Sequence, residues 1–341
     1  MSTGVPSPAR SPLRARRVRG LLHGLAVGEV LESTCGSAGV VQHGVATQLA
    51  CFTAAAGIRT SLRVGRGTSA DPRADLLDAY RRWAQVRHGA RVPSPRTAWL
   101  DDVPLLTRAA GDPRDTVRAL VAGGAGTRRD PVSTADGWHA LARALPLAAH
   151  VVRDPQAAVT AAVDSVALTH GPRAFAPTAV AVLLAAAAFR TGDPVEAVAV
   201  GLRDAVLLGV DFAAVAVVDD AVRAAREAPA STVVLRGGAA DGSAAAALWG
   251  ATYCVLSHPT TVDAGLALAR TAPHPDAVGA VTGALLGAAH GADALPQSVL
   301  TRIDLAYVID RLARDLAVVD GLGVDGADGA DAGWRERYGL A

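Results

Sequence analysis

The chain has 341 residues, half of them hydrophobic but only 4% aromatic, and a formal net charge of +1. A core built mainly from alanine and glycine implies closely packed helices rather than a β-sandwich. The near-neutral charge excludes the basic footprint of a nucleic-acid binder.

In chain order, residues 1–17 are rich in Pro, Ser and Arg and lack the apolar segment of a secretory signal, so they are expected to form a disordered tail. Helix starts then recur as Asp-Pro at Asp71-Pro72, Asp112-Pro113, Asp154-Pro155 and Asp193-Pro194. Asp accepts a free backbone N–H at a helix start, and Pro one position on has none to satisfy. Glu196 adds a capping-box partner three residues after Asp193, and Thr260–Asp263 offers another start. Gly123-Gly124 and Gly171-Pro172 mark stops. The most apolar stretch, Phe175–Phe189, is short, alanine-heavy and carries Pro177. It reads as a buried helix, so no membrane partner is expected. "STVVLRGG" at 231–238 is the one short strand candidate. Residues 320–333 form an acidic, glycine-rich linker, and Trp334–Tyr338 beyond it is expected to dock back on the body.

Two glycine trios stand out. Gly20, Gly24 and Gly28 recur every four residues, as do Gly279, Gly283 and Gly287. That spacing puts each trio on one helix face. Glycine inside a helix costs about 1 kcal/mol per position, so tight packing of these helices against each other or against a shared neighbour is expected to offset it. The bland alternative is compositional drift in a glycine-rich chain. Cys35, Cys51 and Cys254 are odd in number and form no C-x-x-C pair. They suit a reducing cytoplasm as buried thiols.

The segments "RVRGLLHGLAVGEVLE", "GVATQLACFTAAAG", "ARALPLA", "ALTHGPRA" and "DAVGAVTGALLGAAHGADALP" follow one another in the order and spacing of the ADP-ribosylglycohydrolases. The chain resembles that family from about Arg17 to Leu316, and the terminal "WRERYGL" resembles an ending found on bacterial members. The resemblance implies an all-α, single-domain orthogonal helical bundle over 18–317, between the tail (1–17) and a C-terminal segment (318–341). It also implies hydrolysis of a glycosidic bond to ADP-ribose, assisted by two Mg²⁺ or Mn²⁺ ions held by carboxylates.

The match fails at those carboxylates. The early Thr-Asp-Asp-Thr motif falls on Gly44, Val45, Ala46 and Thr47; only Thr47 is kept. The late Asp-x-Asp-Thr motif falls on His274, Pro275, Asp276 and Ala277; only Asp276 is kept. One carboxylate cannot hold two hard divalent cations, so no metal cofactor is expected. Asp276 is then left as a charge at a helix start, favoured there by about 0.3–1 kcal/mol. The phosphate loop of the family falls on Gly137–Ala140, where Trp138 and His139 would fill the space of a diphosphate. Arg143 and His170 are kept and remain, with Thr47, candidates for binding ADP-ribose or a related nucleotide. His43, His274, Asp276 and Glu29 form a speculative Zn²⁺ set, weighed against solvated loop histidines. Asp101-Asp102 and Asp219-Asp220 read as surface or helix-end pairs. The favoured function is an inactive family member acting as a binding or regulatory module, with a protein partner in view. The alternatives are a hydrolase with a rebuilt metal site and a scaffold without a ligand site.

Overall fold

The computed structural model describes residues 12–31, 39–89, 98–123, 125–150, 154–319 and 332–340. Cys35, Gly124, residues 1–11 and residues 320–331 of the linker lie outside that set. The described residues contain helices and three isolated β-bridges, with no strand. The helices are α1 (Pro12–Glu29), α2 (Val45–Gly65), α3 (Pro72–His88), α4 (Arg114–Val121), α5 (Trp138–Ala144), α6 (Pro155–Ala167), α7 (Phe175–Thr191) and α8 (Pro194–Leu207). They continue as α9 (Phe212–Glu227), α10 (Thr232–Gly238), α11 (Ala244–Ser257), α12 (Val262–Ala269), α13 (Pro275–His290), α14 (Gln297–Leu300), α15 (Ala306–Val319) and α16 (Ala332–Arg337).

Local chemistry sets most starts. Asp71, Asp154 and Asp193 cap α3, α6 and α8 by accepting backbone N–H bonds in the first turn. Asp112 does not cap α4, because its carboxylate pairs with Arg114 and the helix begins one residue late. The strand candidate at 231–238 is instead the helix α10. Ser231 accepts the Val234 N–H, and one capped turn outweighs the β-preference of two valines.

α1 begins at Pro12, inside the stretch read as a disordered tail. Two arginines hold this extension. Arg14 donates to the Ala149 carbonyl and Arg17 to the Phe189 carbonyl, so the polar composition reflects anchoring rather than solvation.

The core is centred on α13, in which every residue but Asp276 and His290 is buried. α1 lies antiparallel against it. A Cβ on Gly20, Gly24 or Gly28 would stand 1.9–2.0 Å from the carbonyl oxygen of Gly287, Gly283 or Gly279, respectively. The two trios therefore interlock, and the backbones touch where side chains normally separate helices. Pro172–Thr191, α7 with the turn before it, is long and apolar enough to cross a membrane by composition, but it is mostly buried in the protein interior.

The C-terminal segment docks as expected. Tyr338 is buried, and its hydroxyl donates to Asp315 on α15 at 2.7 Å. Arg337 also reaches Asp315, and Arg59 on α2 donates to the Gly339 carbonyl. Cys51 and Cys254 are buried free thiols, and burial pushes the Cys51 thiol up to about 12.

Candidate functional site

The start of α2 carries the first feature. Its N-cap is Gly44, which has no side chain to offer. The cap comes from Glu29, at the end of α1. The Glu29 carboxylate accepts the Ala46 N–H (2.7 Å), the Thr47 N–H (2.8 Å) and the Thr47 hydroxyl (2.6 Å). Gly44 makes this possible, since a Cβ there would lie 2.0 Å from the Glu29 Cδ. Burial raises the Glu29 carboxyl to about 7. The three hydrogen bonds oppose that rise, and the nearby charge of Asp276 adds to it. Val45 and Ala46 are fully buried and apolar.

The start of α13 faces the same place. Asp276 is exposed in its first turn and accepts the Ala277 N–H at 2.9 Å. Glu29, Thr47 and Asp276 are thus gathered, as the two motif positions required. The two histidines of the speculative Zn²⁺ set are not. His43 is buried with Nδ1 2.7 Å from Asp304 Oδ1, while His274 is exposed and lies beside Gly242. Among the described residues no group of three or more His, Cys, Asp or Glu is placed to hold a metal ion. The four-residue set fails because each of its buried members is already committed to a protein partner.

His274 opens instead onto a cleft of about 420 Å³, lined among others by Asp112, Arg114, Trp138, His139, His170 and His274. Four helix starts, those of α4, α5, α11 and α13, bound it. The starts of α5 and α11 are tied by backbone bonds from Trp138 N–H to Gly242 O (3.0 Å) and from Ala244 N–H to Asp136 O (2.7 Å). Trp138 stacks on His139 with ring centroids 4.1 Å apart. Burial, with the Arg143 charge beneath, holds His139 at about 4 and His170 well below its ordinary value. Neutral imidazoles of that kind are weak bases at neutral pH but good hydrogen-bond partners. The cleft therefore suits binding better than proton transfer.

Arg143 does not reach the cleft, contrary to its reading as a phosphate ligand. It is fully buried. Its guanidinium donates to Ser165 O (2.6 Å) and Thr169 Oγ1 (2.7 Å) and sits over the Tyr80 ring at 4.4 Å. Thr47 is likewise spent on Glu29. Of the three candidate binding residues, His170 alone lines the cleft, with Nδ1 2.8 Å from the Thr169 hydroxyl. The α4 contribution, Asp112 to Thr116, was missed in the sequence. Its only signal was the Asp-Pro start, which says where a helix begins but not what it faces.

The family model for ADP-ribosylglycohydrolase matches residues 10–323. The chain belongs to the ADP-ribosylglycohydrolase family. A solved structure described as an "ADP-ribosylglycohydrolase-related protein complex" shares the fold, with a TM-score of 0.60 and 23% identity over 90% of this chain and 99% of that one. No curated protein matches the sequence.

The divalent ions of ADP-ribosylglycohydrolases can be tested against the residues present. Hard cations need several free carboxylate oxygens. Here Asp276 offers an exposed carboxylate, Glu29 is occupied by three donors from α2, and Val45, Ala46 and Ala277 offer none. A two-metal centre does not fit this donor set.

Proposed function

We propose that this ADP-ribosylglycohydrolase-family chain does not hydrolyse and serves as a binding or regulatory module for ADP-ribose or a related nucleotide. One observation carries the reading: the Glu29 carboxylate caps α2 at the place where metal-binding carboxylates would stand. The metal position has become a structural joint, while the neighbouring cleft stays open and of ligand size. Helix starts on its rim supply partial positive charge, and the Trp138–His139 stack supplies an aromatic surface.

The test is a thermal-shift titration with ADP-ribose, with Mg²⁺ or Mn²⁺, and with each metal plus ADP-ribose. It is paired with an assay for ADP-ribose release from an ADP-ribosylated protein. A ligand at a hundred times its Kd stabilises by about 2.7 kcal/mol, enough to read directly. The expected result is a shift with nucleotide alone, unchanged by chelator, and no release. A shift that needs metal and ADP-ribose together, or metal-dependent release, would mean a rebuilt hydrolase. No shift under any condition would favour a scaffold.

A further inference from the structure

α8 packs on α7 and α9 packs on α11, and a groove of about 370 Å³ runs between α8 and α9. Most of its lining is apolar. Val195, Ala199, Leu202 and Val206 fall at intervals of four, three and four along α8, which places them in one stripe. Val195, Ala199 and Leu202 line the groove, and Val222 and Ala225 face them from α9. Val195 is 51% exposed and Val206 59%, and Phe212 at the start of α9 is 73% exposed.

Charge marks the same seam. Asp219 and Arg226 line the groove on α9, with Val222 between them. Both are exposed, and neither makes a hydrogen bond or ion pair with any described residue. Their neighbours differ: Asp220 is engaged by Trp249 Nε1 and by Arg223. Two opposite, unpartnered charges therefore flank an apolar position seven residues apart on one helix face.

That pattern is self-complementary. A two-fold axis pairs residue i with j and j with i. An antiparallel α9–α9 contact centred near Val222 would set Asp219 of each copy against Arg226 of the other. We propose that the α8–α9 face is a homodimer interface, with a second copy of this chain as its occupant. The inference does not depend on the ligand reading of the cleft, which lies at the starts of other helices.

Sedimentation velocity on the full chain tests it, with Asp219→Arg, Arg226→Asp and their equimolar mixture. The wild type is expected to dimerise at concentrations up to about 100 µM, since interfaces of standard size commonly bind more tightly than that. Each single reversal puts like charges together twice and is expected to weaken the dimer by about tenfold or more. Mixing the two variants restores both opposite-charge contacts, so a heterodimer should reappear. Circular dichroism of each variant checks folding, and both substitutions lie on the surface. A wild type that stays monomeric overturns the proposal, as does a dimer indifferent to the single reversals. So does a mixture that fails to associate when both single variants are monomeric.

Discussion

Gly24 meets the carbonyl of Gly283 so closely that a methyl group on Gly24 would stand 2.0 Å from the oxygen. Neither partner can yield, because both atoms belong to helix backbones buried in the core. Gly24→Ala must push α1 away from α13 and disturb the contacts at Gly20 and Gly28 as well. We expect a loss of ~3 kcal/mol or more in urea denaturation, at the upper end of overpacking costs. Gly237, in the helix α10, has nothing within 4 Å of an added Cβ. Gly237→Ala should therefore stabilise by about 0.5–1 kcal/mol. A Gly24→Ala variant that lost no more stability than Gly237→Ala would show that the interlocked glycines are drift rather than design.

The joint between Glu29 and α2 makes a second prediction. Gly44→Ala would drive a Cβ into the Glu29 carboxyl and evict it from the start of α2. Two backbone N–H groups and the Thr47 hydroxyl would then lose their acceptor in a buried place. Each such orphan costs about 1–3 kcal/mol, so the variant should lose ~3 kcal/mol or more. Glu29→Gln keeps one acceptor oxygen but turns an NH2 toward the other donor, which orphans fewer groups and should cost less, about 1–3 kcal/mol. If Glu29→Gln proves the costlier of the two, the carboxylate has a role beyond capping.

These joints show what a reader of the sequence can and cannot see. The glycine trios were legible because a period of four survives any change in surroundings. So was the lack of a carboxylate at residues 44–47, since an aspartate is either present or absent. The capping role of Glu29 was not legible, because Glu29 and Ala46 are brought together by tertiary packing alone. Arg143 misled for a related reason. Its residue type suggests a phosphate, but the Ser165 carbonyl on α6 and the Thr169 hydroxyl just after it claim its donors. The cleft itself lay hidden because its walls come from four separated helix starts. The opening turns of α1 were hidden as well, since the carbonyls that hold Arg14 and Arg17 lie more than a hundred residues away.

The docked terminus gives a third prediction. Tyr338 fills a buried position, and its hydroxyl shares Asp315 with Arg311 and Arg337. Tyr338→Phe removes one bond to a charged acceptor that keeps two arginines, and should cost about 1–2 kcal/mol. Tyr338→Ala also leaves a cavity, and should cost ~3–5 kcal/mol. Limited proteolysis should release residues beyond 319 from the alanine variant faster than from the phenylalanine variant. Equal rates in both, matching the wild type, would mean that the segment is held by other contacts.

The last prediction concerns acid. His23 lies between α1 and α15, and burial lowers it to about 4, with Arg19 adding to the fall and Asp310 opposing it. A histidine lowered in the folded state contributes stability that is whole above its unfolded value near 6.5. That contribution is lost as pH falls toward 4. His139 is held at about 4 in the same way, and His43 and His170 are lowered too. Glu29 acts in the opposite sense. Its carboxyl is raised to about 7, so its contribution is whole below the unfolded value and is lost as pH rises through 7. The histidines outnumber it, so the protein should weaken between pH 6.5 and 5. At pH 5 the His23 contribution to that loss is about 2 kcal/mol, from the gap between the pH and its unfolded value. His23→Gln should flatten the stability profile over this interval by about that much, read as the difference in unfolding free energy between pH 7.5 and 5. A variant with the same slope as the wild type would show that His23 is protonated in the folded state, through its contact with Asp310.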